Sequence, residues 1–247
     1  MDSSVMESLV PKRDILVVLM AHGSRHDEGR RQAETMMDQI RDRCSLPTEK
    51  AYLEILEPDL EATICRHASE SDKVFVLPLL IFKGGHALRD IPEMISRCRQ
   101  EFPEMSIRQG PVLEPHGKVL DFWTEYGRSW LSQHSEGRVL LLGRGAKDCE
   151  AKEAFSRIQA QLEQDLSVPV LEAFTGIQEP DLPSVLEGIR REDPLLIFPC
   201  LLFDGVLLER SREFVKDWNA TWAPTLAQSP NLVDQILQVI EEEVAGF

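Results

Sequence analysis

The chain has 247 residues, 43% apolar and 28% charged, with a formal charge of −15. That composition belongs to folded globular proteins and lacks the signature of disorder. The acidic balance, with no block of Lys and Arg and no basic stretch interleaved with aromatics, excludes a general nucleic-acid binder and points to a small-molecule partner.

Near the amino terminus, Lys12-Arg13 ahead of the apolar run Ile15 to Ala21 has the outline of a secretion signal, but Asp14 interrupts it and His22-Gly23 follows at once. A buried strand near 14–20 is expected instead. From there, β-branched and leucine-rich runs bounded by turn residues alternate with longer segments of helical period, the pattern of βα units around parallel sheets. Further strands are predicted near 50–55, 73–81 and 106–109, with helices near 27–43, 58–69, 90–101 and 116–132. Asp27 is expected to cap the first helix, and Pro58 and Pro92 suit the first turns of the second and third. After the polar segment 132–137 (Ser-Gln-His-Ser-Glu-Gly) the plan repeats. Strands are predicted near 138–142, 169–174, 194–203 and 221–226, and helices near 148–163, 180–191, 208–219 and 229–245. No apolar run approaches the roughly 18 residues needed to cross a bilayer, so no membrane partner is expected. The five cysteines, Cys44, Cys65, Cys98, Cys149 and Cys200, are widely spaced without a Cys-x-x-Cys pair. They read as reduced thiols of a cytoplasmic protein, with no disulfide and no iron–sulfur cluster.

The two halves are copies. Ala21-His22-Gly23-Ser24-Arg25 has its counterpart 122 residues later in Gly143-Arg144-Gly145-Ala146-Lys147, and Glu57-Pro58-Asp59-Leu60 recurs as Glu179-Pro180-Asp181-Leu182. Leu77-Pro78-Leu79-Leu80-Ile81-Phe82 recurs as Phe198-Pro199-Cys200-Leu201-Leu202-Phe203. In the second copy His22 becomes Arg144, Glu54 becomes Gly176 and His86 becomes Leu207. Copies share residues for packing, so polar residues at strand ends that survive in one copy alone are candidates for function. Two domains follow, 1–132 and 137–247, each long enough to bury its own core.

In an open parallel sheet, ligands sit outside the carboxyl ends of the strands. His22 follows the first predicted strand, Glu54 closes the second, and His86 lies in the Gly84-Gly85-His86 loop after the third, so the three are expected on one edge of one sheet. Two imidazoles and a carboxylate suit borderline divalent ions such as Fe²⁺, Co²⁺, Ni²⁺ or Zn²⁺. Three protein ligands leave coordination positions open, through which an ion can be passed on or activate water. A hydrolase reading fails for want of Gly-x-Ser-x-Gly, since Gly127-Arg128-Ser129-Trp130-Leu131 breaks at its last place.

Ala21-His22-Gly23-Ser24-Arg25, the Tyr52-Leu53-Glu54 segment before Glu57-Pro58, and Leu77-Pro78-Leu79-Leu80 followed by Gly85-His86 and Asp90-Ile91-Pro92 resemble the sirohydrochlorin chelatases, the class II chelatases of siroheme and cobalamin synthesis. The resemblance covers roughly residues 14 to 116, and the second half resembles a degenerate copy. It implies an α/β protein of two tandem chelatase-like, flavodoxin- or Rossmann-like domains, each a four-stranded parallel sheet flanked by helices, facing across a cleft. It also implies ATP-independent insertion of Co²⁺ or Fe²⁺, as substrate ion with no permanent cofactor, into sirohydrochlorin. His22 would then be main metal ligand and base, His86 second ligand, and Glu54 anionic ligand and proton relay. Sirohydrochlorin carries eight carboxylates, so Arg25, Lys83 and Arg89 beside the histidines are expected to hold them, with Ser24, Gly84 and Gly85 also in contact. Metal capture requires neutral imidazoles, so activity is expected to fall as the pH drops through about 6.5. A fused pair can form its cleft as a monomer. The alternative is a non-catalytic protein of the same fold that binds tetrapyrrole or metal and delivers it. Trp123, Trp130, Trp218 and Trp222 are expected in the core or between the lobes.

Overall fold

A computed structural model describes residues 15–176 and 178–247. Lys12, Arg13 and the start of the expected first strand lie outside the described residues. The first half contributes β1 (Leu16–Ala21), α1 (Asp27–Arg43), β2 (Thr48–Tyr52), α2 (Leu60–His67), β3 (Lys73–Pro78), α3 (Ile91–Glu101), β4 (Ser106–Gln109) and α4 (Lys118–Leu131). The second contributes β5 (Arg138–Gly143), α5 (Cys149–Leu166), β6 (Val170–Phe174), α6 (Leu182–Leu186), β7 (Leu195–Pro199), α7 (Val206–Phe214), β8 (Ala220–Trp222) and α8 (Leu232–Ala245). The strands form two wholly parallel sheets, ordered β2-β1-β3-β4 and β6-β5-β7-β8. All six residues of β1 are buried, as a central strand covered by helices on both faces requires. α1 buries Ala33, Met36, Met37 and Ile40, the three- and four-residue spacing of one helical stripe.

The boundaries move where local signals compete with packing. Three expected strands, 50–55, 73–81 and 194–203, end early, at Tyr52, Pro78 and Pro199. Pro78 and Pro199 donate no hydrogen bond, and the apolar run continues beyond each because the following loop is still buried: Leu79, Ile81, Cys200 and Leu202 all face the core. Hydrophobicity alone therefore overshoots the strand. His26, not Asp27, caps α1, its Nδ1 accepting the Gly29 N–H at 3.3 Å. Asp59 caps α2 by accepting from the Ala62 N–H at 2.7 Å, so Pro58 precedes the helix rather than opening it. Ahead of α3, residues His86–Asp90 form a single wide π-turn, in which the Ile91 N–H reaches back to the His86 carbonyl. Pro92 follows, has no N–H for the usual bond and crowds the preceding carbonyls, which accounts for the wide turn.

The outer face of each sheet has a core of its own, but the inner faces share one. A continuous apolar cluster runs from Val17, Leu19, Phe75 and Trp123 of the first half to Phe155, Phe174, Phe198 and Ile236 of the second. Each half's last helix lies against the other half: α4 packs on α5 and β7, and α8 on α1. Trp123, fully buried on α4, stacks obliquely on Phe198 at 5.3 Å and donates its indole N–H to the Pro224 carbonyl at 2.9 Å. Trp130 donates to Thr221 Oγ1 at 3.0 Å. Trp218 and Trp222 pack beneath the outer face of the second sheet. No helix among the described residues is long and apolar enough to cross a membrane.

Candidate functional site

The order β2-β1-β3 brings the carboxyl ends of three successive strands of the first half side by side, and the selected residues sit there. His22 is the first residue after β1. Glu54 lies two residues past β2, and the sheet pairing carries on to it through Leu53 N–H to Ala21 carbonyl (2.9 Å) and Glu54 N–H to His22 carbonyl (3.1 Å). Gly23, at φ 89°, makes this approach feasible, because a Cβ there would stand 1.9 Å from the Glu54 carbonyl oxygen. His86 opens the π-turn after β3.

The two imidazoles meet edge to face, ring centres 4.6 Å apart at 90°. His22 Nδ1 lies 3.1 Å from the Gly23 carbonyl oxygen and 3.5 Å from Glu54 Oε1. His86 Nδ1 lies 2.7 Å from Asp90 Oδ2. Each Nδ1 faces oxygen acceptors, the arrangement in which a neutral imidazole donates from Nδ1 and keeps a lone pair on Nε2 for an ion. Asp90 is the residue that sequence reasoning passed over. Its signal was present, as a histidine followed four places on by a carboxylate within one helical turn. About a third of each histidine side chain and half of Glu54 are exposed, so the site is an open edge. Among the described residues no three His, Cys, Asp or Glu side chains converge on one ion position. Glu54 lies against the Nδ1 side of His22 rather than the Nε2 side, so closing three ligands on one ion requires side-chain rotation.

Arg25 and Arg89 are exposed and make no ion pair among the described residues, and the Arg89 guanidinium folds back over Gly85. Ser24 accepts the His26 N–H at 3.0 Å, tightening the loop after His22. Lys83 is placed differently. Its ammonium lies 2.7 Å from Glu150 at the start of α5 in the other lobe, and that hydrogen bond raises its pKa above the usual lysine value. Its counterpart in the repeat, Asp204, makes the reciprocal contact with α1: Gln32 Nε2 donates to Asp204 Oδ2 at 2.6 Å and the Asp204 N–H donates to Gln32 Oε1 at 2.8 Å. The two loops thus serve as pseudo-symmetric straps, each joining one lobe's third strand to the other lobe's first helix. They set the carboxyl edges of the two sheets toward one another.

Tandem parallel α/β lobes with a histidine pair and a carboxylate at one sheet edge define the structural class of the protein, and comparison with known proteins narrows it. The CbiX family profile matches residues 16–127 and again residues 138–243. The chain belongs to the sirohydrochlorin chelatase (CbiX) family, with two repeats spanning it. It is 26% identical to the sirohydrochlorin ferrochelatase of Priestia megaterium over 206 residues, covering 80% of this chain and 76% of that one. It is 27% identical to the sirohydrochlorin cobaltochelatase of the same organism over 215 residues, covering 82% and 69%. Among solved structures, SirB from Bacillus subtilis with Fe³⁺ superposes with a TM-score of 0.81 at 24% identity, over 94% of this chain and 96% of that one.

Proposed function

We propose that this protein inserts Co²⁺ or Fe²⁺ into sirohydrochlorin without ATP, in siroheme or cobalamin synthesis, with residues 1–132 as the metal-bearing domain and 137–247 as its degenerate partner. The observation that carries the reading is the His22–His86 pair, both rings with Nδ1 against oxygen, so that Nε2 is the nitrogen offered to an ion, beside the Glu54 carboxylate. Insertion exchanges two pyrrole N–H protons for one divalent ion. His22 Nε2 takes the ion as it sheds water, His86 Nε2 is its second ligand, and Glu54 balances its charge and passes released protons to solvent. Arg25, Arg89 and, once its bond to Glu150 opens, Lys83 hold substrate carboxylates, with Ser24, Gly84 and Gly85 shaping the two loops. One chain supplies both lobes, so the working unit is a monomer, to be checked by light scattering. The reaction is assigned to the cytoplasm, a reading supported by the exposed free thiols of Cys65 and Cys149, which an oxidising compartment does not preserve.

The test is the visible spectrum of sirohydrochlorin followed anaerobically with catalytic protein and either ion, beside a His22→Ala variant and a protein-free control. Multiple turnovers lost in the variant are expected. Conversion that stops at one equivalent would instead identify a delivery protein.

A further inference from the structure

Large apolar side chains are exposed at four places among the described residues; two of them adjoin candidate-site residues in the chain, and a third lies in the corresponding loop of the second lobe. Ile55, 51% exposed, follows Glu54; Leu88, 50% exposed, is two residues past His86; Val206, 48% exposed, opens α7 at the facing edge of the second sheet. The fourth, Phe214, ends α7.

Ile55 is costly in two ways. Its φ is 72°, and the Leu56 N–H donates to the Glu54 carbonyl at 2.8 Å, closing a tight turn centred on Ile55. A β-branched side chain is strained in that region, where glycine or asparagine is the ordinary occupant. The side chain so presented is also left half in water. Core packing does not account for it, and a glycine would hold the same turn more easily. Strained positions of this kind concentrate at ligand sites.

We infer that Ile55, with Leu88 beside it and Val206 opposite, forms an apolar shelf against which one face of the tetrapyrrole ring packs, holding its nitrogens over His22 and His86. The inference rests on the chelatase reading. Sirohydrochlorin joins a flat conjugated ring, apolar on its faces, to a periphery of carboxylates. The unpaired cations answer the periphery, and only exposed apolar side chains can take the ring out of water. Tryptophan does not fill this role, because Trp123 and Trp130 are buried between the lobes and Trp218 and Trp222 lie beneath the second sheet.

The experiment titrates metal-free sirohydrochlorin into the wild-type protein and the variants Ile55→Gly, Leu88→Ser and Phe214→Ser, reading the shift of the visible spectrum, with Tm and steady-state kinetics on each. Ile55→Gly is expected to weaken binding about tenfold and raise KM alike, with kcat little changed and Tm equal or higher, because glycine accepts the positive φ. Leu88→Ser should act in the same direction and Phe214→Ser should not. Wild-type binding in both Ile55→Gly and Leu88→Ser overturns the inference. So does an Ile55→Gly defect that comes with a lower Tm while Leu88→Ser binds normally, since that assigns the turn a structural role. If the wild-type protein neither binds nor metallates the ring, the chelatase reading itself fails, and the shelf with it.

Discussion

Replacing Asp90 with asparagine isolates what the carboxylate does for His86. The substitution keeps size and shape but removes the charge that holds the imidazole Nδ1–H, 2.7 Å from Oδ2. A hydrogen bond to a charged partner contributes about 1.5–3 kcal/mol when desolvated. Here the side chains are 32% and 47% exposed, so solvent screens the pair and about 1 kcal/mol is the appropriate figure. That corresponds to roughly a fivefold loss, below the 10- to 100-fold typical when the partner of a metal-binding histidine is removed. Initial rates of metal insertion at varied ion concentration measure it as kcat/KM for the ion, with thermal melts as a control for folding. Asp90 is a positioning residue and half exposed, so Tm should stay within about 2 °C. An unchanged kcat/KM in a folded variant would refute the argument that the Asp90 charge supports His86 as a ligand.

Trp123→Ala empties the centre of the shared core and removes an indole bond across the lobes, so urea unfolding should register a loss of about 3–5 kcal/mol; less than 1 kcal/mol would mean the lobes are stable apart. Gly29→Ala places a Cβ about 2.0 Å from the Asp204 carbonyl oxygen. The strap must shift, and Tm should fall while the far-ultraviolet circular dichroism is retained; an unchanged Tm would show that this contact carries no stability. A thiol reagent at pH 8 should label the exposed Cys65 and Cys149 quickly, and spare Cys98 and Cys200 until the protein unfolds. Burial pushes the Cys98 thiol up to about 11. A raised thiol value means that its contribution to stability is complete below the ordinary thiol range and is lost as the pH rises through about 11. Alkaline melts should therefore decline less steeply in Cys98→Ala.

The interface between the lobes is built from both copies of the repeat. Lys83–Glu150 on one side and Gln32–Asp204 on the other both join a loop after the third strand to the facing first helix, yet neither duplicates the other's chemistry. Only the loop positions correspond: at the 122-residue spacing Glu150 matches Glu28 and Gln32 matches Ala154, so the ion pair and the amide clasp use different places on the two helices. The sign reversal between Lys83 and Asp204 belongs to this docking.

Much was legible in the sequence because its signals are local. Turn residues and hydrophobic period marked the eight strands and eight α-helices found among the described residues in order, and internal comparison singled out His22, Glu54 and His86 without reference to space. The strand ends were misjudged at Pro78 and Pro199 because burial continues past the last ladder bond, and periodicity cannot distinguish a buried loop from a buried strand. What only the tertiary structure decided depends on residues far apart in the chain or on backbone angles. It seated α4 and α8 on the opposite lobe and gave Lys83 to Glu150. It turned His86 toward Asp90 and set Ile55 at a positive φ beside the site. Composition specifies which groups need partners, but which partner each one finds is settled by how the two sheets meet.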